Sequence, residues 1–334
     1  MDVEEVISKY FSETKDISIK RINNGSINTT YYLKIIKDSS IEEYILQEMK
    51  DMFDVSMMED IEAVTNHLSS KGILTQKVIK SKEGGLFVRD SKSWWRMLSY
   101  IKGQTFSEIT TINQAKEAGK LIGTFHNALS DFNYNFKFKL ENFHNTLFFM
   151  NKLEKVLEKN IDTDKYKELK TLADSILNSY KNLNVIPNLP NHIIHADLKI
   201  SNIVFDDTKE KAIALIDWDT LMYSTIAVEL GDALRSWCLI GGEDVSEAHF
   251  NNDFYVNALD GYISTAKFLT SQEKDSIPYG VKLMALELSA RFTIDAFEEC
   301  YFNLDSSKYT NLFEQQKKRA QNQYDFYKEF ATIY

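Results

Sequence analysis

The chain has 334 residues, of which 43% are hydrophobic, and a formal net charge of −10. A chain of this length can bury a large core and divide into two lobes, and an acidic chain without a basic stripe is not expected to bind nucleic acid. The first residues lack the basic and apolar regions of a secretory signal, and no apolar run approaches the ~20 residues of a membrane span, so we predict a cytoplasmic protein without a membrane partner.

The N-terminal part of the chain has the pattern of a β-sheet that carries one helix. Residues 57–70 repeat apolar side chains at helical spacing and are followed by Gly72. Asn24-Gly25 is a strong turn signal between the first two strands. Apolar and alternating runs predict five strands, at residues 17–22, 30–36, 43–47, 73–79 and 95–100. We therefore predict a small lobe over residues 1–101, with a hinge at Tyr100–Gly103, where the period changes.

Helical periodicity dominates residues 102–334, which we predict to form a larger second lobe. Thr111 with Gln114 and Thr270 with Glu273 have the spacing of capping boxes. A hairpin pattern at 192–217 interrupts the helices, and Pro278 is a candidate break in one of them. The predicted helices cover residues 115–129, 146–160, 164–182, 228–238, 254–268, 271–299 and 309–330.

The most informative pattern is His195-Ala196-Asp197-Leu198-Lys199-Ile200-Ser201-Asn202, followed by two short apolar runs and Asp217. The apolar runs predict a hairpin that places Asn202 beside Asp217. Phosphoryl transfer requires positioned reactants and positive charge at the phosphate. Asp197 is suited to orient or deprotonate an acceptor hydroxyl, and Lys199 to contact the transferred phosphate. Asn202 and Asp217 offer the hard oxygen ligands that Mg²⁺ prefers.

This stretch resembles the aminoglycoside phosphotransferase and choline kinase superfamily, the small-molecule branch of the kinase-like fold. The resemblance implies an α+β bilobal fold with a small, mainly β N-lobe and a larger helical C-lobe. It also implies ATP as phosphoryl donor and Mg²⁺ as cofactor. Ala196 stands where protein kinases carry an Arg, and Asp217-Trp218-Asp219 stands where they carry Asp-Phe-Gly. These departures disfavour a protein substrate.

A narrower resemblance spans nearly the whole chain. The residues similar to those of bacterial N-acetylhexosamine 1-kinases are the segments 24–31, 44–47, 57–68, 143–146, 216–220 and 231–235, together with Arg291-Phe292, Asp295 and Tyr301-Phe302. The resemblance implies phosphorylation of the anomeric hydroxyl of N-acetylglucosamine or N-acetylgalactosamine, in a monomer or homodimer. By the same resemblance the acceptor would contact Asp197, Asp219, Arg235, Arg291 and Tyr301.

The nucleotide would bind at the turn between the first two strands and at the hinge. The resemblance implies ATP contacts from Gly25, Ser26, Ile27, Asn28, Thr29, Gln47, Ser99, Tyr100 and Ile101. Gln47 stands where most kinases place a Lys that pairs with the α- and β-phosphates. Because Gln is neutral, another residue must supply that charge or the nucleotide binds weakly, and Lys34 is a candidate substitute.

Several residues also have a purely structural interpretation. Asp232 and Arg235 have the spacing of an ion pair within one helix, and Asn145 that of an N-cap. His195 is expected to be a scaffold residue rather than an acid or base. Arg291 and Tyr301 could equally be ordinary helix residues.

Two other functions stay open on the sequence. A kinase of a cationic alcohol, such as an aminoglycoside, choline or an amino alcohol, would need acids in the helical lobe. Glu243, Asp244, Glu247, Glu298 and Glu299 could supply them. A non-catalytic nucleotide-binding pseudokinase is favoured by Gln47 and disfavoured by the complete Asp197, Asn202 and Asp217 set.

Overall fold

The computed structural model describes residues 1–12, 16–22, 28–37, 40–50, 54–91, 93–184, 186, 188–245 and 247–334. It confirms the predicted fold, a small antiparallel sheet followed by a larger helical part. The N-terminal elements are α1 (Val3–Tyr10), β1 (Ile17–Ile22), β2 (Thr29–Lys37), β3 (Ser40–Met49), α2 (Met57–Ser70), β4 (Val78–Ile79), β5 (Val88–Arg89) and β6 (Trp94–Ser99). Helix α1 was not predicted, and it begins with a capping box between Asp2 and Glu5.

The small sheet has six strands where the sequence predicted five. Its order is β1-β2-β3-β6-β4, and β5 also pairs with β6. The strand predicted at 73–79 shortens to Val78–Ile79, and the two-residue β5 has no pattern long enough to detect. In the register between β3 and β6, Gln47 lies directly opposite Arg96, so the two side chains lie on the same face of the sheet.

The two faces of β6 pack into different cores because strand side chains alternate. Trp95 and Met97 join α1 in a cluster that also contains Leu33 and Leu46. Trp94 belongs to the main core, which runs through α2 into the helical part. Arg96 is on the Trp94 face and therefore points towards the helical part. The predicted boundary after residue 101 stays a prediction.

The helical part contains the hairpin that the sequence placed at its centre. Its elements are α3 (Ile112–Leu129), α4 (Thr146–Lys159), α5 (Asp164–Asn182), β7 (His192–Ile194), a 3₁₀ turn (Ile200–Asn202), β8 (Ile203–Phe205), β9 (Ala212–Leu215), β10 (Met222–Ser224), α6 (Ile226–Trp237), β11 (Leu239–Ile240), β12 (His249–Phe250), α7 (Asn252–Thr265), α8 (Ser271–Glu298) and α9 (Leu312–Ala331). Within the described residues, no helix is both long and apolar enough to cross a membrane.

The two predicted capping boxes and the predicted break at Pro278 have different outcomes in the structure. Thr270 and Glu273 form the predicted capping box at α8. Thr111 caps α3, but the Gln114 amide accepts from Thr110 instead of completing the box. Helix α8 continues through Pro278 although proline removes a helix hydrogen bond. The fully buried Ile277 and Val281 on either side pack in the main core and stabilise the helix at this point.

Helices α6 and α8 pack closely against each other at glycine residues. A Cβ atom on Gly280 would lie 1.8 Å from the carbonyl oxygen of Ala227, and one on Gly231 would lie 2.4 Å from the carbonyl oxygen of Gly280. Only residues without a Cβ permit this separation. Since α6 carries residues that support the catalytic loop, the close packing fixes that support against the longest helix of the described chain.

Candidate active site

The β8–β9 hairpin brings the two predicted metal ligands together. Ile203 pairs with Leu215, and the Ile216 N–H donates to the Asn202 carbonyl oxygen at 3.0 Å. Asn202 and Asp217 therefore leave adjacent ends of the two strands. Asp217 has a φ of 70°, a left-handed conformation that non-glycine residues adopt at a cost of about 1–3 kcal/mol and that is concentrated at functional sites.

Asp197, Lys199, Asn202 and Asp217 form one cluster. Lys199 Nζ donates to Asp197 Oδ2 at 2.6 Å and lies 3.9 Å from Asp217 Oδ2. Asn202 Nδ2 donates to the Asp197 carbonyl oxygen at 2.8 Å and to its Oδ2 at 3.1 Å. Burial opposes the charge on Lys199, but Asp197 and Asp217 outweigh it and raise the pKa of the ammonium group. The lysine is therefore cationic and held between two carboxylates.

The donor set fits a magnesium ion. Desolvation by the surrounding protein and the nearby charge of Asp219 raise the pKa of Asp217. The negative charge of Asp217 is therefore not fully balanced by its neighbours, and a bound cation would stabilise it. Among the described residues, no group of three His, Cys, Asp or Glu side chains forms a metal site of its own. Magnesium does not require one, because it keeps waters and substrate phosphates as ligands.

Glu229 on α6 holds the catalytic loop from behind, and the sequence analysis missed this role. Its two carboxylate oxygens accept from the backbone N–H groups of His195 and Ala196, each at 2.9 Å. Glu229 is only 2% exposed, and Ala196 has a φ of 64°. One signal was present: Glu229 lies on the apolar face of its helix, between Ile226 and Ala233, where an unpaired carboxylate would be costly.

Other buried side chains complete the support of the loop. Thr220 Oγ1 donates to the His195 carbonyl oxygen at 2.7 Å, and Trp237 Nε1 donates to the Leu198 carbonyl oxygen at 2.7 Å. The His195 ring is fully buried, with Nε2 3.0 Å from the Ile216 carbonyl oxygen. His195 therefore acts as a scaffold that joins the loop to the hairpin, as the sequence analysis expected.

The predicted nucleotide contacts within the described residues lie at the start of β2, on β3 and around the end of β6. Gly25, Ser26 and Ile27 lie outside the described residues, whereas Asn28 directly precedes β2 and Thr29 begins it. Ser99 ends β6 and Tyr100 follows it, and their N–H groups donate to the carbonyl oxygens of Lys77 and Glu43, respectively.

The hinge packs directly onto the hairpin. Ile101 packs against Val204 and Ala214 of β8 and β9. A Cβ atom on Gly103 would lie 2.3 Å from the Phe205 carbonyl oxygen, so glycine is required where the chain crosses between the two parts.

Gln47, Arg96 and Asp219 form a chain of contacts in which Arg96 and Asp219 are buried and Gln47 is half-buried. Gln47 Nε2 donates to Thr30 Oγ1 at 3.2 Å, and Arg96 Nε donates to Gln47 Oε1 at 2.8 Å. Arg96 Nη1 is 2.5 Å from Asp219 Oδ1. Arg96 is 1% exposed and Asp219 is 6% exposed, so Asp219 is directed into the protein and not towards an open acceptor pocket.

Arg291 and Tyr301, far apart from the motif in sequence, lie together in the structure. Arg291 Nη2 donates to the Tyr301 hydroxyl at 3.0 Å. The guanidinium carbon lies 5.1–5.9 Å from the ring centroids of four aromatic residues, Phe143, Phe149, Tyr301 and Phe302. This arrangement is a cation–π cage with one exposed wall, since Tyr301 is 59% exposed.

His144 and Glu287 connect this cage to the catalytic loop. His144 Nε2 is 2.8 Å from the Ala196 carbonyl oxygen, and its Nδ1 is 3.5 Å from Glu287 Oε1. Burial opposes a charge on His144, but Glu287 and Asp232 outweigh it and raise the pKa of the imidazole. Glu287 Oε1 also lies 3.9 Å from Arg291 Nη1. One side chain therefore separates Arg291 from His144, which contacts the loop that carries Asp197.

Arg235 does not open onto this cage. Its guanidinium is held by Asp232 Oδ1 at 2.9 Å, by Gln323 Oε1 at 3.0 Å and by Glu243 at 3.4 Å, and the residue is 6% exposed. The ion pair with Asp232 is the one that the helical spacing indicated. Burial disfavours the Asp232 anion, yet the neighbouring Arg235 and His144 lower the pKa of its carboxyl group.

Comparisons with known proteins agree with this geometry. Residues 18–262 match the phosphotransferase enzyme family. A homoserine kinase from Zymomonas mobilis subsp. mobilis (strain ATCC 31821 / ZM4 / CP4) is 23% identical over 278 residues, which cover 82% of this chain and 79% of that protein.

Two solved structures share the fold. An aminoglycoside phosphotransferase from Alicyclobacillus acidocaldarius subsp. acidocaldarius DSM 446 superposes with a TM-score of 0.66 at 15% identity, over 99% of this chain and 96% of that one. The amicoumacin kinase hAmiN, solved in complex with AMP-PNP, Ca²⁺ and Ami, gives a TM-score of 0.62 at 16% identity, over 96% and 94% of the two chains. The chain therefore belongs to the phosphotransferase enzyme family, and the predicted class of small-molecule kinase is confirmed.

Proposed function

We propose that this protein transfers the γ-phosphoryl group of ATP, with Mg²⁺, to the anomeric hydroxyl of an N-acetylhexosamine. Asn202 and Asp217 would hold the metal, whose charge neutralises the phosphate oxygens. Asp197 orients the acceptor hydroxyl and takes its proton. Lys199, held 2.6 Å from Asp197, neutralises charge on the transferred group.

The observation that carries the choice of acceptor is the Arg291 cage. Arg291 is 12% exposed in its side chain and uses one N–H group on the Tyr301 hydroxyl, so its fork retains donors for an oxygen acceptor such as an acetamido carbonyl. The exposed Tyr301 ring supplies an aromatic face of the kind that packs on a pyranose. A fixed guanidinium repels a cationic acceptor and favours a neutral or anionic one.

The carboxylates that a cationic acceptor would require are engaged elsewhere. Asp244 pairs with Lys308 and Arg319 at 2.8 and 2.6 Å, and Glu243 contacts Arg235 at 3.4 Å. Glu298 and Glu299 pair with Lys152 and Lys165 at 2.7 and 2.6 Å. The remaining acid, Glu247, is 83% exposed beside His249. This pairing supports the sugar over an aminoglycoside, choline or amino alcohol.

An acceptor screen tests the proposal. ATP consumption would be measured with N-acetylglucosamine, N-acetylgalactosamine, glucosamine, choline, ethanolamine and an aminoglycoside, and the product position fixed by phosphorus NMR. The proposal expects turnover with an N-acetylhexosamine and a phosphate on carbon 1, with Asp197→Asn as the inactive control. Turnover confined to the amines, or phosphate on another hydroxyl, would contradict it, and ATP binding without any acceptor would favour the pseudokinase.

Homoserine is a second candidate acceptor. The relative from Zymomonas mobilis is a homoserine kinase, and the free donors of Arg291 fit a carboxylate as well as an amide carbonyl. Including homoserine in the screen separates the two candidates, because its product is a phosphate ester of a primary alcohol and not a sugar 1-phosphate.

A further inference from the structure

A buried arginine lies beside the position where the nucleotide lysine is missing. Arg96 projects from β6 on the same sheet face as Gln47 on β3, directly opposite it in register. The guanidinium contacts Gln47 Oε1 at 2.8 Å and Asp219 Oδ1 at 2.5 Å. A side chain that is 1% exposed retains so polar a group only when it is paired. The residue therefore joins the small sheet to the segment that carries Asp217.

The neutral side chain at position 47 follows from this arrangement. Gln47 uses its oxygen on Arg96 and its amide on Thr30 Oγ1 at 3.2 Å. A lysine at position 47 would remove the acceptor for Arg96 Nε and place a second cation beside it. Gln47 and Arg96 are thus a matched acceptor and donor on adjacent strands, and the positive charge lies on β6 instead of β3.

We propose that Arg96 is the cationic positioning residue of the nucleotide site, acting from β6 through Asp219 and not on the phosphates, which the third-strand lysine of other kinases contacts directly. This inference rests on the proposed function in one respect, that the cluster at 197–217 binds a metal-bound nucleotide. Arg96 neutralises Asp219, which leaves the charge of Asp217 available to the metal. It also fixes the distance between Thr30, next to the predicted nucleotide loop, and the segment 217–219.

The test measures nucleotide affinity, which does not depend on the acceptor. Binding of Mg·ADP and Mg·ATP to the full chain would be followed by titration calorimetry for wild type, Arg96→Met and Arg96→Lys. We expect Arg96→Met to weaken binding about 10- to 100-fold, a typical strength for coupling between neighbouring sites, and Arg96→Lys to retain most of the affinity. Arg89→Met, an exposed arginine of the same sheet, is the matched control and should bind as wild type does.

A charge relocation separates positioning from simple stability. The double variant Gln47→Lys/Arg96→Met returns the cation to β3, opposite its present position, and we expect it to bind nucleotide at least about 10-fold more tightly than Arg96→Met. A merely structural arginine would lower the thermal midpoint of Arg96→Met and leave the affinity of the folded fraction unchanged. That result, or no gain in the double variant, would overturn the inference.

The remaining outcomes are also decisive. If Arg96→Met does not fold, nucleotide binding is measured for Arg96→Lys and for the double variant. The inference fails if either of these two variants folds and binds nucleotide no more tightly than the wild-type protein does without magnesium. If wild type binds nucleotide and Arg96→Met is weakened while no acceptor is phosphorylated, the acceptor proposal fails and this inference stands. If Arg96→Met binds as wild type does while an N-acetylhexosamine is phosphorylated, the reverse holds.

Discussion

Glu229→Gln is the substitution that most directly tests how the catalytic loop is held. Wild-type Glu229 accepts from two backbone N–H groups, those of His195 and Ala196, through different oxygens. A glutamine keeps one oxygen and replaces the other by an NH₂ group. Either orientation of the amide then places a donor against one of the two N–H donors, with little room to move because the residue is 2% exposed.

The size of the effect follows from these two bonds. A hydrogen bond to a charged group contributes about 1.5–3 kcal/mol, and a buried donor left without a partner costs about 1–3 kcal/mol. We therefore expect Glu229→Gln to lower the free energy of unfolding by about 3 kcal/mol. With an unfolding entropy of about 2.1 cal/mol/K per residue over 334 residues, the thermal midpoint falls by about 4 °C.

Catalysis should be affected more strongly than folding. Ala196 precedes Asp197 and has a φ of 64°, so a relaxed loop moves the carboxylate that we propose to orient the acceptor. A displacement of about 1 Å can reduce turnover about 100-fold. We expect kcat to fall by that factor while the Mg·ATP affinity changes little, since Glu229 bonds His195 and Ala196 and not the proposed metal ligands Asn202 and Asp217.

The assay compares kcat, nucleotide affinity and thermal midpoint in Glu229→Gln and Glu273→Gln. Glu273 is also 2% exposed, but it accepts from Thr270 and contacts His192 of β7 instead of the His195 and Ala196 N–H groups. The control should lose stability and keep kcat. Full kcat in Glu229→Gln, or an equal loss in Glu273→Gln, would refute the reasoning.

Four further predictions follow from the same geometry. Asp197→Asn removes the proposed base and should abolish transfer while calorimetry shows nearly unchanged Mg·ATP binding; retained activity would refute the proposed role. Arg291→Met should raise the acceptor KM about 10-fold or more and leave the ATP KM unchanged, and steady-state kinetics with equal shifts in both would argue against the acceptor cage. Gly280→Ala places a methyl group 1.8 Å from a carbonyl oxygen and should lower the free energy of unfolding by about 3 kcal/mol. Asp275→Ala, on the exposed face of the same helix, should change the denaturation midpoint little. Similar denaturation midpoints for the two variants would contradict the close packing. Burial lowers the pKa of His126, so below about pH 6.5 the unfolded chain binds a proton that the folded chain does not, and the free energy of unfolding falls as pH falls. In denaturant titrations, His126→Gln should therefore show a shallower decline of stability on the acid side. An unchanged slope would exclude His126 as the source of the decline.

The part of the site that the sequence predicted is the part that is local in the chain. Asp197, Lys199, Asn202 and Asp217 lie within one loop and one hairpin, and strand pairing alone brings the ends of the hairpin together. The apolar runs at 203–205 and 212–216 were sufficient to predict that pairing. The fold class followed from the family resemblance that the motif carries, and the change in period near Gly103 indicated only where the sheet gives way to helices.

The residues that the sequence did not reveal act across long separations. Glu229 supports His195 from 34 positions away, and Arg96 contacts Asp219 from 123 positions away. Nothing in a single sequence specifies which helix face or strand face will meet the loop. An acid on an apolar helix face and an arginine between two buried strand residues were signals that a polar group is buried, but they did not identify its partner.

The acidic residues of the site fall into two groups, one that is buried and paired and one that is exposed around Lys199. Glu229, Asp219 and Glu287 are buried and are matched respectively by backbone N–H groups, by Arg96, and by Thr146 with His144. These partners balance the buried negative charges, and the resulting hydrogen bonds and ion pairs hold the neighbouring backbone in place.

Asp197 and Asp217, by contrast, keep 29% and 40% of their side-chain surfaces exposed on either side of Lys199. A triphosphate can approach two carboxylates when a lysine and a divalent metal offset them, but it would be repelled by five. Replacing a buried acid by its amide therefore changes where Asp197 or Asp217 lies, without changing the charge that the nucleotide meets. For this reason Glu229→Gln should reduce kcat without altering the salt dependence of nucleotide binding, whereas Asp217→Asn should alter both.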